Sequence, residues 1–253
     1  MIEHGGSGPE IMVNSSMGLK GPACFFQNAG ALCRGDKQLL AFWIREGRRD
    51  SIPVCMVLII LGCGLYGSVI GFRQGPEMTC YVALKLPAII FLTLCVNGLL
   101  NGLLGLVLGS EIGLRQSLRF LLTGYAIMGL TLGALSPVIL FINLNMPGPS
   151  ADGALVGHAA TLLLHTAVIA MAGILAHVRL LSCVREFAAT RSAGTHTFMA
   201  WILGNLFVGA QISWNLRPFF VSPGLDVEFL RPDPFNGNFY EAAFRALQSL
   251  SLL

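Results

Sequence analysis

Charged residues are absent from five long stretches of this chain, and their absence restricts the folds that it can adopt. The stretches are residues 51–72, 86–110, 120–151, 153–178 and 192–216. A helix of about 20 apolar residues crosses the ~30 Å hydrocarbon core of a bilayer, and each stretch holds a run of nearly that length or more. Charged residues make up 11% of the chain, against about a quarter in soluble domains. The sequence therefore predicts an all-α, polytopic transmembrane helix bundle.

The predicted bundle occupies residues 51–216 and contains about five spans. We place the spans at about residues 52–72, 86–109, 120–143, 158–180 and 198–214. Asn205 and Gln211 interrupt the last span, so four spans followed by a re-entrant segment are the alternative. Residues 1–50 are predicted to be a cytoplasmic segment, and residues 217–253 an extracytoplasmic tail that packs on the bundle.

The second predicted span carries the clearest pattern for helix packing. It contains two Asn-Gly doublets four residues apart and a further glycine: Asn97, Gly98, Asn101, Gly102 and Gly105. Residues four apart share a helix face, so the glycines form a groove that another backbone can approach, with amides beside it to hydrogen-bond across. We predict helix-packing roles for all five. A polar path for a substrate along the two asparagines is the alternative.

The first span offers a partner for that groove. Gly67 and Gly71 repeat the four-residue spacing, and we predict that both pack against the second span. The second span itself is predicted to start with Pro87 in its first turn, where proline is tolerated. An outer loop of residues 73–85 would then connect the two spans.

Residues 37–49 form an amphipathic pattern before the first span, with Asp36 in position to cap a helix. Apolar side chains that include Trp43 share one face, and basic side chains share the other. Two placements fit this pattern. The helix lies in the membrane interface with Trp43 at headgroup depth, or it packs under the bundle, and amphipathicity alone does not separate them.

Trp214 and Arg217 follow the last span, and we predict that they dock the tail or contact lipid. Arg217 is expected to form a salt bridge with a tail carboxylate such as Asp233 or Glu241, or to clamp a lipid phosphate. An arginine that snorkels at the membrane boundary is the alternative. Asn238 and Glu241 have the spacing of a capping pair and predict a final helix.

Basic residues are unevenly distributed between the two sides of the predicted bundle. Eleven lie on the side of the N-terminus and five on the opposite side. By the positive-inside rule this places the N-terminus in the cytoplasm and the C-terminus outside.

Sequence motifs of intramembrane enzymes are absent. The chain has no His-Glu-x-x-His, no Gly-x-Ser-x-Gly and no phosphate-binding loop, and the predicted spans contain no carboxylate. His158 and His165 share a face of the fourth span. A metal site or proton relay is one interpretation, and hydrogen-bonded packing is the favoured one. His177 is predicted at the cytoplasmic interface. We expect no enzymatic activity, no cofactor and no metal.

The order of five spans after a cytoplasmic N-terminus, with Tyr66-Gly67 followed by residues 118–125, resembles the Yip family of secretory membranes and their bacterial relatives. The resemblance covers about residues 52–214. It implies a non-catalytic scaffold or adaptor of membrane traffic.

A narrower resemblance covers about the last forty residues. Residues 211–220, 231–233 and 238–241 are similar to segments of uncharacterised bacterial multi-span membrane proteins. The resemblance implies a bacterial inner-membrane location and carries no mechanism.

These patterns together predict a scaffold or subunit that binds membrane lipids, other membrane proteins or copies of itself, and no nucleic acid. The alternative is a transporter or channel for a small solute or lipid. It would use the groove beside Asn97 and Asn101 and a bend at Pro137, because proline inside a helix removes a hydrogen bond.

Overall fold

The computed structural model describes residues 22–46, 51–145, 154–219 and 227–251, and helices dominate this part of the chain. They are α1 (Pro22–Arg34), α2 (Lys37–Glu46), α3 (Ser51–Gly71), α4 (Pro76–Val107), α5 (Leu114–Asn145), α6 (Ala154–Phe187), α7 (Arg191–Asn215) and α8 (Phe239–Ser251). The all-α prediction is confirmed. Residues 1–21 of the predicted cytoplasmic segment and residues 220–226 of the predicted tail lie outside the described residues.

Four helices of the described chain are long and apolar enough to cross a membrane. They cover Ser51–Gln74, Pro76–Val107, Leu114–Asn145 and Gly157–Phe187. Each overlaps one of the predicted spans. The protein is therefore an integral membrane protein.

The fifth predicted span corresponds to α7, which is less apolar than the other four and is not among the helices that meet this criterion. It is nevertheless one continuous helix and not a re-entrant loop. It runs antiparallel to α4. Asn205, near the middle of α7, bonds Asn101 near the C-terminal end of α4, while Pro218, just beyond the end of α7, bonds Lys85 in the first half of α4. α7 therefore lies alongside α4 within the bundle.

The predicted start of the second span was wrong. The helix begins at Pro76, Pro87 lies inside it, and the predicted loop of residues 73–85 is reduced to the 3-10 turn Phe72–Gln74 and Gly75. Proline fixes φ for a first helical turn, and Gly75 supplies the positive φ of 104° that precedes it. The charge of Lys85 suggested a loop, but this side chain is fully buried under the tail.

The amphipathic helix α2 packs under the bundle. Its apolar face, including Trp43, is buried against α5 and α6, and Arg119 donates a hydrogen bond of 2.9 Å to the Ile44 carbonyl. Asp36 caps the helix by accepting from the backbone N–H groups of Gln38 and Leu39. Of the two placements, the structure therefore has the packed one, in which Trp43 is buried against the bundle.

The long helices form a ring with one helix outside it. α4 contacts α5 and α7, and α6 contacts α5 and α7, so these four helices close the ring. α3 packs on the outside against α4 and α5, and α8 packs on α6 and α7. We call the end with α1 and α2 the N-terminal end and the end with residues 216–219 the tail end. The interior of the ring is the natural place to look for a site.

Candidate functional site

The predicted packing glycines all lie at close helix contacts, and Gly67 and Gly71 contact α4 as predicted, but at a different part of that helix. Gly67 and Gly71 meet the backbone of α4 at Val82 and Met78, where an added Cβ would lie 2.5 Å from a carbonyl oxygen. These contacts involve the first turns of α4 and not its Asn-Gly groove. The first span therefore packs against the second one through the segment that was taken for a loop.

The Asn-Gly groove of α4 is occupied by the start of α5 and by the segment that precedes it. A Cβ at Gly98 would overlap the Leu118 side chain, and a Cβ at Gly102 would lie 2.9 Å from the Leu114 Cα. Gly105 approaches the backbone of the connecting segment in the same way. The groove is thus a packing surface that α5 fills.

The closest approach between α3 and α5 lies at Gly62 and Gly129. A Cβ on Gly62 would overlap the Gly129 carbonyl, and a Cβ on Gly129 would lie 2.9 Å from the Leu58 carbonyl oxygen. Gly133 follows four residues later and faces Gly62 as well. The four-residue spacing of Gly129 and Gly133 was a usable signal for this contact, which the prediction did not include.

A polar network joins three helices inside the bundle. Asn101 donates from Nδ2 to Asn205 Oδ1 at 3.3 Å, and the Trp201 indole donates to the Asn101 carbonyl at 2.8 Å. His177 Nδ1 lies 2.7 Å from the Gly173 carbonyl, which can only accept, so Nδ1 carries the proton. Nε2 then accepts from Asn205 Nδ2 at 3.2 Å. Each group thereby holds its neighbour in one orientation.

The placement of His177 differs from the prediction of an interfacial residue. α6 continues to Phe187, well beyond the predicted end of its span, so His177 lies deeper in the bundle and is buried. His165 is also buried, with Nδ1 3.0 Å from the Tyr66 hydroxyl. In the part of the chain that the structure describes, no three His, Cys, Asp or Glu side chains cluster as metal ligands would.

An intramembrane cavity of about 300 Å³ occupies the interior of the ring. Apolar side chains of α4, α5, α6 and α7 form most of its wall, and none of the described residues that line it is charged. Its polar lining consists of Thr93, Tyr125, His165, Thr166, His177, Asn205, Ser213 and Tyr240. The sequence did not predict this cavity, because it depends on how far apart large side chains hold the helices.

The cavity has a polar inner end and an apolar tail end. Thr93 and Asn205 belong to the inner end, near the middle of their helices, while Phe219 and Phe239 lie at the tail end. Two lining residues, Ile174 of α6 and Leu206 of α7, are 40% and 37% exposed. They form an apolar rim of the cavity that is exposed at the outer surface of the bundle between α6 and α7.

Arg217 docks the tail through backbone carbonyls. Its guanidinium donates four hydrogen bonds of 2.9–3.0 Å, and it lies 4.1 Å from the centroid of the Trp214 ring. The acceptors are the carbonyls of Trp214, Asp233, Pro234 and Asn236. The predicted partners were carboxylates. Burial and the nearby Arg231 lower the pKa of Arg217, and the charge of Asp233 raises it.

Lys85 is a second docking residue, which the sequence interpretation missed. Its Nζ donates to the Pro218 carbonyl at 2.8 Å and lies 4.9 Å from the Phe229 ring centroid and 5.6 Å from that of Phe219. An ammonium group over aromatic faces is stabilised by the ring quadrupoles. The sequence signal for this contact was a single lysine directly before an uncharged stretch, together with several phenylalanines further along the chain.

No protein-family model, curated protein or solved structure matches this chain. The resemblances to the Yip family and to bacterial multi-span proteins stay predictions. The interpretation of the site therefore rests on its own geometry and chemistry.

Proposed function

We propose that this protein is a non-catalytic membrane protein that binds an apolar membrane molecule in the intramembrane cavity. The observation that carries the proposal is the cavity itself, with its volume of about 300 Å³, its uncharged wall and its rim in the lipid phase. Pockets that bind small molecules begin at about this size and are mostly apolar with a few placed polar groups. A lipid is the most abundant molecule that reaches such a rim.

The chemistry of the wall favours binding over catalysis. General acid–base catalysis needs a group that can exchange a proton with the substrate. His177 has both ring nitrogens engaged, by the Gly173 carbonyl and by Asn205, and no described lining residue is a carboxylate. His177 and Asn205 hold each other, and the unpartnered hydroxyl groups of Thr93 and Tyr125 are placed to orient a ligand.

A scaffold or subunit role is compatible with the outer surface of α6. In the apolar 18-residue window of this helix, 22% of the residues are buried inside the protein. The remaining surface is available to lipid, to another membrane protein or to a second copy of the chain. We propose that the bound molecule and such a partner act together in one membrane complex.

The experiment is to purify the protein in a mild detergent and identify retained molecules by mass spectrometry after extraction. Gly209 lines the cavity, and a Cβ there would make only ordinary contacts with Thr93, so Gly209→Leu fills the space without a backbone clash. Gly157→Leu is the matched control, because a Cβ at Gly157 meets nothing within 4 Å.

We expect a stoichiometric molecule in the wild type and in Gly157→Leu, and its loss in Gly209→Leu. Equal retention in all three proteins would show that the molecule is annular lipid and would contradict the proposal. Transport is the alternative function. It would be favoured if the protein moves a lipid or solute across liposomes and Gly209→Leu abolishes this flux.

We also propose that the N-terminal end faces the cytoplasm of a bacterial cell. Arg119 and Arg179 are among the basic residues that lie at this end, in keeping with the positive-inside rule. In a variant that keeps Cys33 as its single cysteine, a membrane-impermeant maleimide should label this exposed residue after cells are opened. Labelling in intact cells would show that the N-terminal end faces the outside, opposite to the proposed orientation.

A further inference from the structure

The wall of the intramembrane cavity restricts the charge of its occupant. None of the described lining residues is charged, and the buried ammonium of Lys85 is directed to the Pro218 carbonyl and two aromatic rings. An ionised phosphate, carboxylate or amine placed here would lose its hydration without a countercharge, at a cost that few sites can offset. The occupant is therefore uncharged.

The inner end of the cavity contains a hydrogen-bonding group that the protein does not use. Thr93 Oγ1 lines the cavity, its residue is 2% exposed, and it has no hydrogen-bond partner among the described residues. Buried hydroxyl groups in native structures nearly always have a partner. A threonine hydroxyl can donate one hydrogen bond and accept others, so it suits the hydroxyl or carbonyl group of a ligand.

The neighbours of Thr93 limit how many polar groups a ligand can present. Asn205 is engaged by Asn101 and His177. The buried Tyr125 hydroxyl also lines the cavity and, like that of Thr93, has no hydrogen-bond partner among the described residues. The rest of the wall is mostly apolar, so a ligand with many polar groups would leave most of them unsatisfied. A ligand with one small polar group, placed on Thr93, avoids that cost.

The size and shape of the cavity limit the apolar part of the ligand. A volume of about 300 Å³ lies at the lower bound of ligand pockets and favours one chain over two. From Thr93 the cavity extends towards Phe219 and Phe239 at the tail end. The rim at Ile174 and Leu206 lets such a chain enter sideways from the membrane.

We propose that the cavity binds an uncharged single-chain amphiphile, with its one hydroxyl or carbonyl group on Thr93 Oγ1 and its acyl or prenyl chain extended towards Phe219. This inference rests on the proposed function, because it names the class of molecule that the cavity takes. It adds the charge of the ligand, the number of its apolar chains and the residue that recognises its polar group.

The test compares two photoactivatable probes with the same 16-carbon, diazirine-bearing chain. One probe is the alcohol and the other is the carboxylic acid, which is ionised at pH 8. Each probe is titrated onto the purified full-length protein in nanodiscs, crosslinked by light and quantified by intact mass. Unlabelled hexadecanol serves as the competitor.

Three variants locate the polar group of the probe. Thr93→Val keeps the shape of the side chain and removes the hydroxyl, and Thr93→Ser keeps the hydroxyl. Thr131→Val is the matched control, since Thr131 bonds the carbonyl of Ile127 in its own helix and is not a lining residue. Loss of one hydrogen bond predicts an affinity for the alcohol about three- to tenfold lower in Thr93→Val.

We expect saturable labelling of the wild type by the alcohol, several-fold weaker labelling by the acid, and recovery of affinity in Thr93→Ser. Gly209→Leu should abolish labelling and Thr131→Val should leave it unchanged. If both probes label the wild type equally and Gly209→Leu abolishes this labelling, the inference that the ligand is uncharged is overturned, while the proposed lipid site stands. An unchanged affinity in Thr93→Val would overturn the role of that residue. Labelling that no variant alters would overturn the lipid site itself.

Discussion

The two sides of the bundle are packed by different means. In the apolar 18-residue window of α3, 56% of the residues are buried inside the protein, against 22% for α6. α3 meets α5 at Gly62 and Gly129, where the two backbones touch. α6 and α7 approach closely at Gly194 and again at the bond between His177 and Asn205, and beyond that bond both helices line the cavity.

The difference shows how a membrane bundle can be rigid and still keep room for a ligand. Apolar side chains gain little from one another in a solvent that is itself apolar, so close backbone approach and hydrogen bonds hold the helices. On the α3 side, glycines allow that approach over several turns. On the α6 side, one polar network sets the spacing and leaves space beside it, so the closest packing and the cavity belong to separate parts of the fold.

The largest expected effect comes from adding one methyl group on the tightly packed side. In Gly62→Ala the new Cβ overlaps the Gly129 carbonyl, which belongs to a helix backbone and cannot turn away. We expect the free energy of unfolding to fall by about 3 kcal/mol, the upper part of the range for overpacking. Unfolding in mixed detergent, followed by circular dichroism, measures the change.

Gly157→Ala is the control for that substitution, since its Cβ meets nothing within 4 Å. Alanine has a better helix propensity than glycine by up to ~1 kcal/mol, so this variant should be unchanged or slightly more stable. If Gly62→Ala has the same free energy of unfolding as Gly157→Ala, then the backbones of α3 and α5 do not touch. The contrast in packing between the α3 side and the α6 side would then disappear.

A smaller and local effect is expected at the tail end. Arg217→Gln removes most of the hydrogen bonds of the guanidinium, three of which go to tail carbonyls, so residues 227–236 should open more often. We expect cleavage by chymotrypsin at Phe229 or Phe235 to be about tenfold faster, equivalent to ~1.4 kcal/mol. Cleavage kinetics in native detergent measure the rate.

Arg245→Gln serves as the control for the tail. Arg245 is an exposed residue whose ion pair with Glu241 is 3.6 Å long, and such pairs contribute little. Its cleavage rate should equal that of the wild type. Equal rates for both variants would mean that the tail is held elsewhere, for example by Lys85.

The sequence predicted features that depend on local spacing. The absence of charge located the long helices, the four-residue repeats identified glycines at close contacts, and the capping pair Asn238–Glu241 forms at the start of α8. A charge near a span boundary was a poor guide, because the ammonium group of Lys85 is stabilised by contacts with residues more than 130 positions away.

The candidate site depended on information that no local pattern contains. His177 and Asn205 lie in different spans and each resembles an isolated polar residue in the sequence. Their pairing requires the antiparallel register of α6 and α7, which the turn at residues 188–190 establishes. The cavity beyond them results from that register and from the volumes of the surrounding side chains. It can therefore be recognised once the helices are assembled.

On the loosely packed side, Asn205→Leu should have a moderate effect. The change removes the acceptor of Asn101 Nδ2 and the donor to His177 Nε2. Hydrogen bonds between membrane helices contribute ~0.6 kcal/mol on average, so we expect a loss of about 1 kcal/mol. Asn145→Leu is the control, because Asn145 is exposed and bonds its own helix at the Phe141 carbonyl. A loss as large as that of Gly62→Ala would show that the network, and not glycine packing, dominates the stability of the bundle.

The smallest effect is expected for Gly98→Ala, where the new Cβ meets the end of the Leu118 side chain. A leucine can change rotamer at a cost of about 1 kcal/mol, and the helix propensity of alanine offsets most of it. We expect a change within about 0.5 kcal/mol in the same unfolding assay. Gly102→Ala, one turn along, should cost more, since its Cβ meets the Leu114 backbone at 2.9 Å. If both variants lose equal stability, the identity of the contacted atom does not decide the cost of an added methyl group in the groove between α4 and α5.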